Sequence, residues 1–323
     1  MTLSYADVTA ARARIAGHTR PVALSAPEPL ACAGEDSGGG EARLTLAYEF
    51  AQHTGSFKAR GAANFAAAHA EAGTLPPSGL VVASGGNAGL ACAWAARRHG
   101  VPATVFLPET APAVKVARLH ALGADVRQVG TEYADALEAS RKFAAETGAL
   151  PSHAYDLPHI AAGAGTLLEE IHDARPDVDT VVVAVGGGGL FAGVTAAAHQ
   201  HGIRVVAAEP EHCRALNAAL EAGSPVDVPV RSVAADALGA RRATSMAVDW
   251  AQRADVVSLL VPDEAIVAAR QALWDERRLA VEHAAATAGA ALRTGAYRPA
   301  PGEHVCLVLC GANTDPSDLT GPR

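Results

Sequence analysis

The chain has 323 residues, half of them hydrophobic but only 4% aromatic, with a formal net charge of −8 and a pI near 5.9. That length holds one large domain or two of ordinary size, and the acidic balance argues against a general affinity for nucleic-acid backbones or anionic membranes. With no basic-then-apolar leader pattern, no run of about 18 apolar residues, and five widely spaced cysteines (Cys32, Cys92, Cys213, Cys306, Cys310) that fit neither a disulfide framework nor a zinc cluster, a soluble cytoplasmic protein is expected.

Short β-branched runs alternate with Ala-rich helical runs for most of the length. The acidic, Gly-rich stretch 35–41 reads as a mobile surface loop between two strands. Residues 80–83 (Leu-Val-Val-Ala) predict a buried strand, followed by a glycine loop and a helix over about 88–99. A strand at 103–107, a helix ending near Gly123, a strand at 126–129 and a helix through Phe143 follow. After an irregular stretch at 151–158, a candidate crossing between two lobes, the alternation resumes. It gives a helix at 164–172, a strand at 180–185, a helix at 191–200 and a strand at 205–208. Helices near 263–278 and 284–292 precede a last strand at 304–309. Repeated βαβ units with near-continuous apolar strands predict parallel sheets covered on both faces, an α/β fold.

Of the 26 Lys and Arg residues only three are lysines: Lys58, Lys115 and Lys142. Lys115 and Lys142 lie in helix-like stretches and read as ordinary solvated positions. Lys58, in Thr54-Gly55-Ser56-Phe57-Lys58-Ala59-Arg60-Gly61, stands where this chain would otherwise write Arg. A lysine amine can lose its proton in a desolvated pocket and attack a carbonyl, which a guanidinium cannot.

Two glycine loops extend the pattern. The strand ending at Val185 runs into Gly186-Gly187-Gly188-Gly189 just before a helix. Such a junction turns backbone N–H groups toward one point at the positive end of a helix dipole, an anion cradle suited to a phosphate; tight packing of strand against helix is the alternative. The spacing matches neither the dinucleotide fingerprint nor the P-loop. Ser84-Gly85-Gly86-Asn87-Ala88-Gly89 also follows a strand and opens a helix. It suits a carboxylate or serves as a plain helix cap. A lysine nucleophile, a phosphate cradle and a carboxylate loop together describe pyridoxal phosphate chemistry on an amino acid.

With these residues in place the chain resembles the fold-type II pyridoxal-phosphate enzymes, specifically the serine/threonine dehydratase and serine racemase group. The resemblance rests on Glu49, Gln52 and the run from Thr54 to Asn64, on Ser84 to Asn87, on Gly186 to Gly189, and on Glu209-Pro210. It also rests on Val281-Glu282 and Leu309-Cys310-Gly311-Ala312-Asn313, all in the family's order from about residue 45 to 315. It implies a two-lobed, tryptophan-synthase-β-like architecture of open, mostly parallel sheets flanked by helices. Residues 1–78 and 151–323 would form the large cofactor-binding domain and 79–150 the small domain carrying the substrate loop. A homodimer is implied as well, and because the chain stops shortly after the Cys310 motif, the C-terminal regulatory domain of biosynthetic threonine dehydratases is not expected.

Residue by residue, the resemblance assigns Lys58 to the Schiff base with the cofactor and to proton transfer at Cα. Phe57 flanks the pyridine ring, Asn87 bonds the cofactor's 3′ oxygen, Gly186, Gly187, Gly188 and Gly189 bind the phosphate, and Cys310 faces the pyridine nitrogen. Ser84, Gly85, Asn87 and Ala88 form the substrate loop. A neutral thiol partner does not hold the pyridine protonated, which suits prompt β-elimination over a long-lived carbanion.

Departures bear on specificity. Gly85 stands where racemases of the group carry a serine, the second acid/base. Ala88 replaces a common histidine, Ala164 a common glutamine, His283 a common proline, and Ala235-Asp236-Ala237-Leu238 a usual Ala-Asp-Gly. The metal site of some members pairs the counterpart of Glu209 with an acid six positions on; here that position is Ala215, so no metal is expected. His153, Tyr155, Asp156 and His159 are candidate substrate contacts, although ordinary loop polarity accounts for them. The expected activity is dehydration and deamination of L-threonine or L-serine, with an amino acid as the partner and neither nucleic acid nor membrane. Alternatives are β-replacement or a less common amino-acid substrate, serine racemization, and a non-catalytic ligand-binding relative.

Overall fold

The computed structural model describes residues 2–30 and 41–320. The first part of the chain forms α1 (Tyr5–Ile15), β1 (Glu28–Leu30), β2 (Ala42–Ala47) and α2 (Lys58–Glu71). Next come β3 (Leu80–Ala83), α3 (Asn87–Arg98), β4 (Ala103–Leu107), α4 (Ala113–Ala121), β5 (Asp125–Gln128), α5 (Tyr133–Thr147) and β6 (Leu150–Pro151). The chain continues with α6 (Pro158–Ala174), β7 (Thr180–Ala184), α7 (Gly189–His201), β8 (Arg204–Pro210), α8 (Ala215–Ala222), α9 (Ala235–Leu238) and α10 (Ser245–Arg253). It ends with β9 (Val256–Val261), α11 (Asp263–Arg277), α12 (His283–Arg293) and β10 (His304–Val308).

Two sheets result, a six-stranded one ordered β1-β2-β10-β7-β8-β9 and a four-stranded one ordered β5-β4-β3-β6. Among the described strands every pairing is parallel except β1 with β2, which is antiparallel, in keeping with the expected mostly parallel sheets. The apolar runs explain the layering. In β3 alternate residues serve opposite faces: Leu80 and Val82 join α3 residues such as Leu90 and Ala93 in one cluster. Val81 and Ala83 join Ala136 and Phe143 of α5 in another. A strand apolar at every position is the signature of a sheet covered on both sides.

Small residues set the helix spacing around the larger sheet. From Ala284 to Ala291 every residue of α12 is buried and none is larger than Thr287. Between α6 and α7, a Cβ at Gly193 would lie 2.0 Å from the Ala161 carbonyl and one at Gly165 2.5 Å from the Gly193 carbonyl. Only glycine permits that approach.

Element boundaries move where turn chemistry was misread. The helix predicted at 164–172 begins at Pro158, because proline fits the first helical turn and starts the helix rather than breaking it. Strands β6 and β9 and helices α1, α2, α8, α9 and α10 had no sequence prediction. The stretch 35–41 lies outside the described residues apart from Glu41.

Candidate active site

Four chain segments meet at the carboxyl ends of the strands, where open α/β sheets place ligands. Beyond β2 and β10 the two segments stay stitched together. Phe57 N donates to Cys310 O (3.0 Å) and Ala312 N to Gly55 O (2.9 Å), and Ser56 bridges Gly311. This sets Cys310, just past β10, beside Lys58, the first residue of α2.

The approach to Lys58 is a tight turn, with Thr54 at φ 62° and Gly55 at φ 77°. Behind Lys58, the fully buried Arg60 holds the helix in place. Its guanidinium donates to Glu49 (2.7 and 3.1 Å), to Glu170 (2.7 and 2.8 Å) and to Thr166 Oγ1 (3.2 Å). A buried cation needs this degree of pairing to be tolerated.

Lys58 Nζ lies 4.4 Å from the centroid of the Phe57 ring and has no hydrogen-bond or ion-pair partner among the described residues. By contrast Lys115, expected to be simply solvated, pairs with Asp236 across the two sheets, and Lys142 faces Glu146 on its own helix. Burial pushes the Lys58 amine down to about 8, against the opposing pull of Cys310 and Glu282. Burial also pushes the Cys310 thiol up to about 12. That thiol is therefore neutral near neutral pH, and the real pull on Lys58 comes from Glu282.

Glu282 is a site residue whose role the sequence did not disclose. It is 7% exposed, and both its oxygens accept from Asn87 Nδ2 at 2.9 Å. Glu282 Oε1 also accepts from Asn313 N (2.7 Å), while Asn313 Nδ2 donates to Asn87 Oδ1 (2.7 Å) and to Thr54 O (2.6 Å). Burial raises the Glu282 carboxyl, and the Asn87 and Asn313 bonds pull it back down. Asn87 is thus held by two residues from the far end of the chain. The only hint in sequence was that Val281-Glu282 and Asn313 stand in recognisable motifs.

The substrate-loop residues Ser84, Gly85, Asn87 and Ala88 form a half-buried run after β3. Helix α3 starts at Asn87 behind Gly86, and no side chain caps it. The plain-cap alternative therefore fails, and the first-turn N–H groups remain available to a carboxylate. A Cβ at Gly85 would lie 2.7 Å from Leu107 Cδ2. That atom is the tip of a flexible side chain, so a larger residue here would require Leu107 to shift.

The glycine loop combines both sequence readings. A Cβ would lie 3.0 Å from Leu238 at Gly186, 2.2 Å from the Tyr155 ring at Gly187, 2.5 Å from Ala247 at Gly188 and 2.8 Å from Tyr155 O at Gly189. Gly188, at φ 96°, opens α7 without a side-chain cap. Among the described residues the N–H groups of Gly186, Gly187 and Gly188 find no protein acceptor. Packing demands the glycines, and the loop still presents unpaired donors, so these residues fit a phosphate.

The four candidate loop residues divide. His153 and Tyr155 make edge-on ring contact (4.7 Å, 82°), with Tyr155 against the glycine loop. His159 turns to His69 on α2, and Asp156 is exposed. Glu209 is wholly buried and accepts from Leu216 N (2.8 Å) and Asn217 N (2.7 Å), capping α8. Burial pushes its carboxyl up to about 8 against those two bonds. Among the described residues no group of three His, Cys, Asp or Glu side chains is arranged to hold a metal.

A family model described as pyridoxal-phosphate dependent enzyme matches residues 27–311. The chain belongs to this family. Among relatives of this pyridoxal-phosphate family, a serine dehydratase-like protein of Mus musculus is 35% identical over 83% of this chain and 84% of its own length. The solved structure of maize serine racemase superposes with a TM-score of 0.87 at 27% identity, covering 99% of this chain and 96% of that one. The T.th. threonine deaminase gives 0.81 at 31% identity, covering 97% and 99%. The cofactor of this pyridoxal-phosphate enzyme is thereby established, and with it the fold-type II architecture.

Proposed function

We propose that the protein removes water from a 3-hydroxy amino acid such as L-threonine or L-serine, releasing a 2-oxo acid and ammonia. The observation that carries this reading is Lys58, a half-buried, desolvated amine without a partner, set among an uncapped helix start, a glycine loop with unpaired donors and a neutral thiol. Pyridoxal phosphate, when bound, supplies the electron sink that makes the Cα proton of an amino acid removable.

The protein's own groups do the rest. Lys58 Nζ would hold the cofactor by its aldehyde and, as a free amine, would take the Cα proton of the substrate. An amine near 8 is well matched to that task at neutral pH. The N–H groups of Gly186 to Gly189 would receive the phosphate, Phe57 and Asn87 would orient the ring, and Cys310 would offer the ring nitrogen a neutral contact. The Ser84–Ala88 turn binds the substrate carboxylate. The Cβ–O bond breaks with its electron pair on oxygen, water departs, and hydrolysis of the released enamine gives the 2-oxo acid and ammonia.

Racemization needs a second proton donor opposite Lys58. Gly85 has none, which favours elimination. The small lobe spans 79–150, and the large lobe combines 1–78 and 151–323, in a cytoplasmic homodimer. No helix of the described residues is long and apolar enough to cross a membrane, and chromatography with light scattering reads the oligomeric state.

The deciding measurement is 2-oxo acid formation across a panel of amino acids. Lys58→Ala is expected to abolish both turnover and the visible absorbance of the bound cofactor. Cofactor-dependent turnover surviving in that variant would sink the assignment.

A further inference from the structure

Residues 152–157 carry the chain from the carboxyl end of β6 to the start of α6, past both loops of the site. Ser152 N donates to Val81 O (2.8 Å), extending β6 along β3 toward the Ser84–Ala88 turn. Three residues on, Tyr155 packs its ring on Gly187 and its backbone on Gly189. His153 stands between these two anchors.

Its Nδ1 accepts from the backbone N–H groups of Asp156 (2.8 Å) and Tyr155 (3.3 Å). A ring nitrogen that accepts carries no proton, so the hydrogen of the neutral imidazole is on Nε2. Among the described residues Nε2 has no partner, and the half-buried ring stands edge-on to Tyr155 at 4.7 Å. Position and tautomer are both fixed for a donor that the protein itself gives nothing to donate to. Burial, with the nearby charges of Lys58 and Arg141, keeps the ring neutral against the opposing pull of Asp156.

We propose that His153 recognises the β-hydroxyl of the substrate, its Nε2–H donating to the oxygen that leaves from Cβ. This rests on the dehydratase reading above and names the residue that selects 3-hydroxy amino acids over those with other 3-substituents. A neutral imidazole does this by hydrogen bonding to the charge that develops on oxygen. It surrenders no proton overall. The Cα proton goes to Lys58 Nζ, the Cβ–O electron pair goes to oxygen, and the oxygen departs as water with the abstracted proton.

The test is kcat/KM of the holoenzyme with L-serine, L-threonine and 3-chloro-L-alanine. Chloride leaves without needing a strong donor. His153→Asn keeps a carbonyl that accepts the Tyr155 and Asp156 N–H groups but withdraws the donor at Nε2. Its kcat/KM with the hydroxy amino acids should fall about 10- to 100-fold, the worth of a hydrogen bond to a charged group. Its kcat/KM with 3-chloroalanine should change less than about threefold, the size of a bond not made. His153→Gln, whose amide nitrogen reaches about as far as Nε2, should recover activity on the hydroxy amino acids to within about tenfold of wild type. Equal losses on both substrate types, or equal losses in the Asn and Gln variants, overturn the assignment of His153 while leaving the dehydratase reading intact. A wild-type enzyme that eliminates chloride but dehydrates no hydroxy amino acid overturns both.

Discussion

Lys58 is a half-buried amine to which the fold offers no counter-charge beyond Glu282, and that has a consequence for stability. Its amine sits at about 8 in the folded protein against 10.5 in its ordinary state. Below 8 it is protonated in both folded and unfolded chains, and folding carries the full cost of desolvating the charge. Between 8 and 10.5 that cost fades, and above 10.5 it vanishes because the amine is neutral in both states. Lys58→Met should therefore stabilise the cofactor-free protein near pH 7 by on the order of 1–3 kcal/mol, screening by the cleft solvent included. The gain should shrink steadily as pH rises toward about 10.5. Urea titrations at a series of pH values read this directly. A gain that grows with pH would mean that the amine is not desolvated.

At the scale of elements, the glycine loop between β7 and α7 is fixed from outside by the crossing segment. A methyl at Gly187 would drive into the Tyr155 ring. Gly187→Ala should cost about 1–3 kcal/mol of stability as an overpacking change, and it should weaken cofactor binding. Gly187→Ala combined with Tyr155→Ala should be less damaging than the sum of the two, with a coupling of about 0.5–3 kcal/mol in a double-mutant cycle. Additive effects would show that the ring and the loop are not in contact.

The glycine loops and the Lys58 turn were legible in the sequence because their chemistry is local. Glycine runs at strand-to-helix junctions and a lysine in an arginine-rich chain need no knowledge of the fold. Other features were not local. Strand β9, the edge strand of the larger sheet and half-buried along most of its length, was missed although it is apolar at every position but Ser258. The tautomer of His153 depends on backbone geometry two and three residues away, so the residue types alone left it indistinguishable from loop polarity. The approach of the Leu107 side chain to Gly85 is likewise invisible before β3 and β4 are paired.

At the scale of the molecule, the polar contacts that join the sheets differ in worth, as two of them show. Lys115 and Asp236 pair at the rim with side chains 32% and 70% exposed, a setting in which an ion pair contributes about 0–1 kcal/mol. The second bridge is Asn87 of α3 clasped by Glu282 and Asn313, residues 195 and 226 positions away. No sequence pattern could have paired them, since only closure of both sheets brings them together. Glu282 is nearly buried, so its carboxylate depends on the Asn87 amide for two of its hydrogen bonds. Asn87→Ala removes both, leaves a buried acceptor short of donors, and lifts the Glu282 carboxyl further. It should cost about 1–3 kcal/mol, while Lys115→Ala should cost less than about 1 kcal/mol. Urea unfolding of the two variants ranks the bridges, and small-angle scattering reports whether the lobes separate. If the buried clasp is what holds them, Asn87→Ala alone should enlarge the radius of gyration. An expansion confined to Lys115→Ala would transfer that role to the rim.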